Sequence, residues 1–508
     1  MRFIKTICIL ALVLGLTGLA YAETQSVKIS GDLTIRGLFR GNYDMDASHR
    51  EVDRADLQGN LAQPMSFQPR IGISDDWDSH FMTTAEVEIE ADLTDNVGAV
   101  IRLFNQRDWD ARTKNINQTT WMNGTAAETG YATNADEFNV ALDLAYIELK
   151  EFLYSPLSLK IGRQDIWLGK GFIMGVQQRN PNDTISAPEY TVMNSFDAIR
   201  GTLDFDPWTL DLIYAKITEN AIQDIDDVDL YGANLGYIFD SYNAEAEAYM
   251  FAKRDDSIET WNIDSNNNIY TLGIRGSADP IEDWTTAIEA AVQFGNYIGA
   301  RNQLEARARR AWALDASIEC RYFQDKYPWK PKLGLEYILY SGDEHIADEN
   351  PTTNGTYTGW DIMYRGRFPS AIRSWYGIYY ASAQDMLSQR RDILQRFPDA
   401  AYTNQQQIIL AGSIQPTESL TVDAKYFNFW QMYATRSPDF SQPNAMPGLL
   451  WRDNNKYLGS EVDVEATWDY TEDVSFGLLA AWFFPGAHYQ DGSNSIVTDV
   501  VGTVSLSF

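Results

Sequence analysis

Apolar and polar residues alternate with a period of two along most of this chain, in stretches separated by turn signals. In 457–469, Leu458, Val462, Val464, Ala466 and Trp468 share one side, with Ser460 the exception, while Gly459, Glu461, Asp463, Glu465 and Thr467 share the other. In 242–253, Ala244, Ala246, Ala248 and Met250 oppose Asn243, Glu245 and Glu247. Eighteen such stretches lie near 27–39, 81–93, 97–106, 138–150, 157–165, 195–205, 208–217, 229–239, 242–253, 268–277, 284–295, 304–322, 331–340, 405–414, 419–430, 457–469, 473–484 and 496–508. Their connections alternate strictly between two classes. Long ones cover 40–80, 107–137, 166–194, 341–404 and 431–456, with shorter members at 218–228, 254–267, 296–303 and 485–495. Between them fall tight turns such as Thr94-Asp95-Asn96, Asp206-Pro207 and Asp240-Ser241. A barrel with both termini on one side of a membrane needs this alternation of outer loops and inner turns. The predicted fold is all-β: a single antiparallel transmembrane β-barrel of about 18 strands, with long outer loops and short periplasmic turns. Two further strand-like pieces, Phe67–Ser74 and Trp375–Ala381, would break the alternation, so they are placed inside outer loops that can fold into the lumen. Residues 384–398 suit a short helix in the longest loop. Phe205, Trp208, Phe239, Tyr242, Trp284, Trp468 and Tyr470 cluster by the inner turns, as an aromatic girdle at the headgroups would.

The two ends of the chain add a destination. Arg2 and Lys5 precede an apolar run from Ile7 to Leu19 and then Ala20-Tyr21-Ala22, the pattern of a secretory signal peptide over 1–22. Residues 23–508 would then form the barrel. The chain closes on a period-two strand, with Val500, Gly502, Val504, Leu506 and Phe508 on one side, the ending typical of barrels of the bacterial outer membrane. The expected location is therefore that membrane, crossed many times. Mean hydropathy is only -0.33 although aromatics reach 13%, as expected when lipid-facing residues occupy every second position.

Net charge is -31, and the signal segment carries two positive charges and no acid, leaving about -33 for the rest. Such acidity argues against nucleic acid as a partner. It suits loops beside outer-membrane lipid and lipopolysaccharide, where divalent cations bridge acids to phosphates, and it equally serves solubility. Cys8 lies in the signal segment and Cys320 stands alone, so no internal disulfide is available. The histidines His49, His80, His345 and His488 all fall in predicted loops. No Cys/His metal spacing and no shared-face Ser, His and acid set is present, so neither a cofactor, a metal site nor an enzyme is expected.

Strand parity turns several arginines toward the lumen. Arg36 opposes Leu33 and Ile35, Arg102 lies between Ile101 and Leu103, Arg200 opposes Ile199 and Leu203, and Arg307 and Arg309 oppose Trp312 and Leu314. An arginine facing lipid at mid-membrane costs roughly 2–4 kcal/mol, so the lumen is the cheaper side. Such arginines would draw anions into a constriction, or would pair with the inward acids Glu86, Glu88, Glu90, Glu245, Glu247, Glu461, Asp463 and Glu465 as ordinary wall salt bridges. Arg275 sits in a less clearly alternating strand. Arg163 has the parity of Leu157, Leu159 and Ile161, which aims it at lipid unless Gly162 forms a bulge that reverses it.

Residues 161–175, IGRQDIWLGKGFIMG, followed by SFDAIRGTLDF, LYSGD at 339–343, YLGSEVD at 457–463 and FGLLAAWFFPG at 476–486, resemble the alginate export family of outer-membrane porins. The resemblance implies an 18-stranded barrel and an arginine-rich constriction through which an anionic polysaccharide leaves the cell. It also implies that Arg163, in the GRQ motif, and Arg200, in the FDxxR motif, lie in the pore. The chain departs from that picture in its many inward acids. Two functions follow. One is a passive export channel for an alginate-like polysaccharide through a constriction of Arg36, Arg102, Arg163, Arg200, Arg307 and Arg309, with a periplasmic export scaffold as a candidate partner. The other is a general uptake porin for small solutes, small anions among them, whose lumen would be mixed in charge and free of a sharp constriction.

Overall fold

The computed structural model describes residues 26–42, 77–109, 140–153, 156–175, 195–218, 227–255, 267–297, 307–343, 355–373, 403–434, 455–488 and 495–508. The signal segment, Phe67–Ser74, Trp375–Ala381, the 384–398 helix, His49 and His345 lie outside them.

The strands are β1 (Ser26–Gly41), β2 (Trp77–Thr94), β3 (Val97–Asp108), β4 (Ala141–Leu149), β5 (Leu157–Gln164), β6 (Phe196–Asp204), β7 (Trp208–Thr218), β8 (Val228–Ile238) and β9 (Glu245–Asp255). They continue as β10 (Ile269–Ile281), β11 (Trp284–Tyr297), β12 (Arg307–Cys320), β13 (Lys332–Tyr340), β14 (Gln405–Thr417), β15 (Leu420–Gln431), β16 (Tyr457–Asp469), β17 (Val474–Pro485) and β18 (Val497–Ser507). Each coincides with a predicted stretch to within a few residues. All neighbours are antiparallel, and β1 pairs with both β2 and β18, from Asp32↔Ser507 to Gly41↔Thr498, so the barrel is closed. Closure leaves no free strand edge, the condition a sheet must meet to cross a bilayer.

Outward positions carry the exposed apolar side chains, such as Ile199, Ile274, Ile288, Leu410 and Leu478. Exposed aromatics cap this band at the turn end, including Phe205, Trp208, Phe239, Tyr242, Trp468 and Tyr470. Phe39, Phe81 and Trp109 do so at the loop end, with the last two stacked at 5.1 Å. One predicted face changes locally. Gly459 adopts φ +136°, and the β15–β16 register slips beside it, from Phe429↔Gly459 to Trp430↔Tyr457. This bulge turns Leu458 from its predicted outward side into the interior, where it is fully buried.

The lumen is partly filled by the chain itself. Residues 165–175, after β5, and 355–373, from the connection between β13 and β14, lie against inward side chains. They join through a parallel bridge at Met174↔Tyr364, with Gly175 N donating to Tyr364 O (2.8 Å) and Tyr364 N to Ile173 O (3.0 Å). A second bridge, Arg309↔Tyr357, ties 355–373 to β12. Phe172, Met174, Trp360, Met363 and Tyr364 form an apolar core with inward wall residues such as Phe196, Phe251, Tyr340 and Phe427.

Candidate pore constriction

Five of the six predicted arginines face the lumen, each beside a partner. Arg36 reaches Thr84 Oγ1 at 3.3 Å. Arg102 sits among four acids: its guanidinium donates to Asp143 (2.7 Å) and Asp165 (3.1 Å) and lies 3.6 Å from Glu88 and 3.9 Å from Glu86. Arg200 donates to Asp211 at 2.9 Å, and Thr202 donates to the same oxygen at 2.6 Å. Arg307 donates to Asp343 at 2.6 Å. Arg309 is buried and donates to Gly359 O at 2.9 Å. Tyr297 and Tyr357 stack at 3.5 Å, and both guanidinium groups lie 5.0–5.5 Å from the two rings. Those contacts fasten the 355–373 segment at its start.

Arg163 differs. Gly162 does take φ +124°, but the register runs unbroken through Ile161↔Ile199 and Arg163↔Asp197. Arg163 therefore keeps the outward face of Ile199, where it pairs with Asp197 at 3.2 Å. The pore position that the resemblance implied for it does not hold, because the glycine accommodates the close approach of Ala145 O without shifting the strand. His80 also departs from expectation. It lies within β2, opposite the inward Leu38, and so on the lumen face rather than in a loop.

Other charged residues hold the inner segments in place. Lys170 donates to Ser317 at 2.6 Å and lies 3.8 Å from both Asp315 and Glu336. Arg367 forms a two-pronged pair with Glu336 and reaches Asp315 at 3.1 Å. Arg275, on a strand of less clear pattern, is held by Glu245 (2.9 Å) and Glu247 (2.7 Å). Further round the wall, on β16, Glu461 accepts the backbone N–H groups of Ile372 (2.7 Å) and Arg373 (2.9 Å), and Asp463 accepts that of Ala371 (2.9 Å). Asp361 lies 3.8 Å from Lys253, and its backbone exchanges two hydrogen bonds with the Gln293 side chain. Burial pushes the Asp361 carboxyl up, but Lys253, Arg309 and the Met363 N–H outweigh it and hold it below its ordinary value. Lys170 was visible in the sequence only as part of the 161–175 motif; the roles of Arg367 and Asp361 carried no sequence signal.

The barrel is closed, and residues 355–373 lie within it as an inward strap. The family described as alginate export matches residues 65–383 and 396–503. The chain belongs to the alginate export family. With its barrel, this makes the protein an outer-membrane channel. No curated protein matches the chain significantly. Among solved structures, this family member is similar to OccK9 (OpdG) of Pseudomonas aeruginosa, at 11% identity and TM-score 0.51 over 96% of this chain and 99% of that one. It is also similar to P. aeruginosa OccK2 (OpdF) in complex with glucuronate, at 12% identity and TM-score 0.50 over 96% and 98%. At such identities the likeness is one of fold.

Proposed function

We propose that this alginate-export family member is a passive uptake channel for small hydrophilic solutes, acidic sugars of monosaccharide size among them. The observation that carries the reading is the strap. Residues 355–373 contact inward residues of β9, β11, β12, β13 and β16, so any solute must pass beside them. An extended polymer needs one continuous bore. A small solute needs only gaps beside the strap. The charges agree with this, because Arg102, Arg200, Arg275 and Arg307 each lie against at least one carboxylate, leaving a lumen of mixed sign.

Export of an alginate-like polymer is the second reading, favoured by the family's description. Reconstituted channels separate the two. Glucuronate and neutral monosaccharides should enter proteoliposomes, while added alginate should neither enter nor block current from one side. One-sided block by alginate, with slow passage, would transfer the assignment to polymer export.

A further inference from the structure

The outward wall holds a feature that the channel does not use. On the faces of β5–β9 toward the bilayer, Arg163, Asp197, Lys216, Asp229 and Arg254 are successive register partners across five adjacent strands. They form one row of alternating charge at the loop end. Arg163 meets Asp197 at 3.2 Å, Lys216 meets Asp227 at 2.5 Å and Asp229 at 3.4 Å, and the Tyr214 hydroxyl donates to Asp229 at 3.2 Å. Directly below, toward the membrane centre, every row is apolar. Ile161, Ile199, Tyr214, Tyr231 and Ala252 come first, then Leu159, Gly201, Leu212, Ala233 and Met250. Gly201, Ala233 and Ala252 are small among larger neighbours, and the wall dips there into an apolar groove of about 490 Å³.

We propose that this face binds one lipopolysaccharide molecule. Its phosphates would lie along the charge row and an acyl chain in the groove. Charge at this depth is tolerable because the cost of a lipid-facing charge falls toward zero near the headgroups. The loop end is the outer leaflet, where lipopolysaccharide resides. Arg163, Lys216 and Arg254 offer direct phosphate contacts. Asp197, whose side chain is 62% exposed, and Asp229 offer oxygen ligands to the divalent ions that link neighbouring phosphates. A phospholipid with a single phosphate would engage one step of the row; a headgroup with several phosphates matches its length. The strap and the lumen play no part, so this inference rests only on the outer-membrane location and not on what the channel carries.

The test uses the full-length protein purified from lipopolysaccharide-bearing outer membranes. Native mass spectrometry counts retained lipid, and the delipidated barrel is titrated with lipopolysaccharide or with phosphatidylglycerol. Wild type should retain one lipopolysaccharide and bind it far better than phosphatidylglycerol, with chelator weakening the binding. Each basic side chain at an anionic lipid surface is worth roughly fivefold, so Lys216→Ala with Arg254→Ala should weaken binding about 30-fold. Gly201→Leu fills the groove and leaves the charge row intact, so it should also release the lipid; it serves as the test if the double variant does not fold. Solute conductance should be unchanged in both. No lipopolysaccharide on wild type, equal affinity for phosphatidylglycerol, unaltered binding in the variants, or a change in oligomeric state in place of lipid content would each overturn the proposal.

Discussion

Cutting the strap at its far anchor should open the channel. Glu461 is buried at the lumen wall and accepts two backbone N–H groups of the strap, from Ile372 and Arg373. An intramolecular hydrogen bond contributes roughly 0.5–1.5 kcal/mol, so Glu461→Ala removes about 1–3 kcal/mol of attachment. Part returns, because a buried carboxyl beside Asp463 no longer has to be kept from water. A net loss of about 1–2 kcal/mol shifts the balance between seated and displaced strap by about 5- to 30-fold. Asp463 still holds Ala371, and Glu336 still holds Arg367, so the strap loosens at one end and is not expelled. Single-channel recordings in planar bilayers should show frequent excursions to a larger conductance that wild type rarely visits. Glu465→Ala is the control: it removes a carboxylate from the same face of the same strand, at an exposed position away from the residues that hydrogen-bond Ala371, Ile372 and Arg373. Identical conductance histograms for Glu461→Ala, Glu465→Ala and wild type would refute the idea that these hydrogen bonds seat the strap.

Two further outcomes follow from the same geometry. Arg200→Glu should move ion selectivity toward cations, because it places a second acid beside Asp211 in the lumen, whereas Arg163→Glu on the outward face should leave selectivity unchanged; reversal potentials in a salt gradient compare them, and equal shifts would contradict the placement of Arg163. Asp361 has a folded-state acidity held below its ordinary value, so the stability it gives the strap is fully present above the unfolded value and is lost only as pH falls through the lower folded one. Asp361→Asn should therefore raise conductance by the same factor at pH 5 and pH 7 in bilayer recordings. A variant effect that vanishes already at pH 5 would contradict the assignment.

The strands and their faces were legible because a strand's side-chain period is a local property. Alternation alone located all eighteen strands, and it oriented Arg36, Arg102, Arg200, Arg307 and Arg309 correctly. It also aimed Arg163 outward, where the structure has it, and only the family motif suggested the pore. The histidine reading failed at one boundary, since β2 begins before His80, and a terminal residue of a period-two stretch is weakly marked. Tertiary structure decided what periodicity cannot carry. The strap segment 355–373 has no repeat to read, and its anchors Asp315, Glu336, Glu461 and Asp463 belong to three different strands, β12, β13 and β16. Whether an inward arginine stands bare or caged depends on which acids the register sets beside it, as with the four around Arg102. The outward row from Arg163 to Arg254 shows the same division. Each of its five residues was assignable to a face by counting, but only the pairing of five strands lines them up, because register is a relation between segments that no single segment contains.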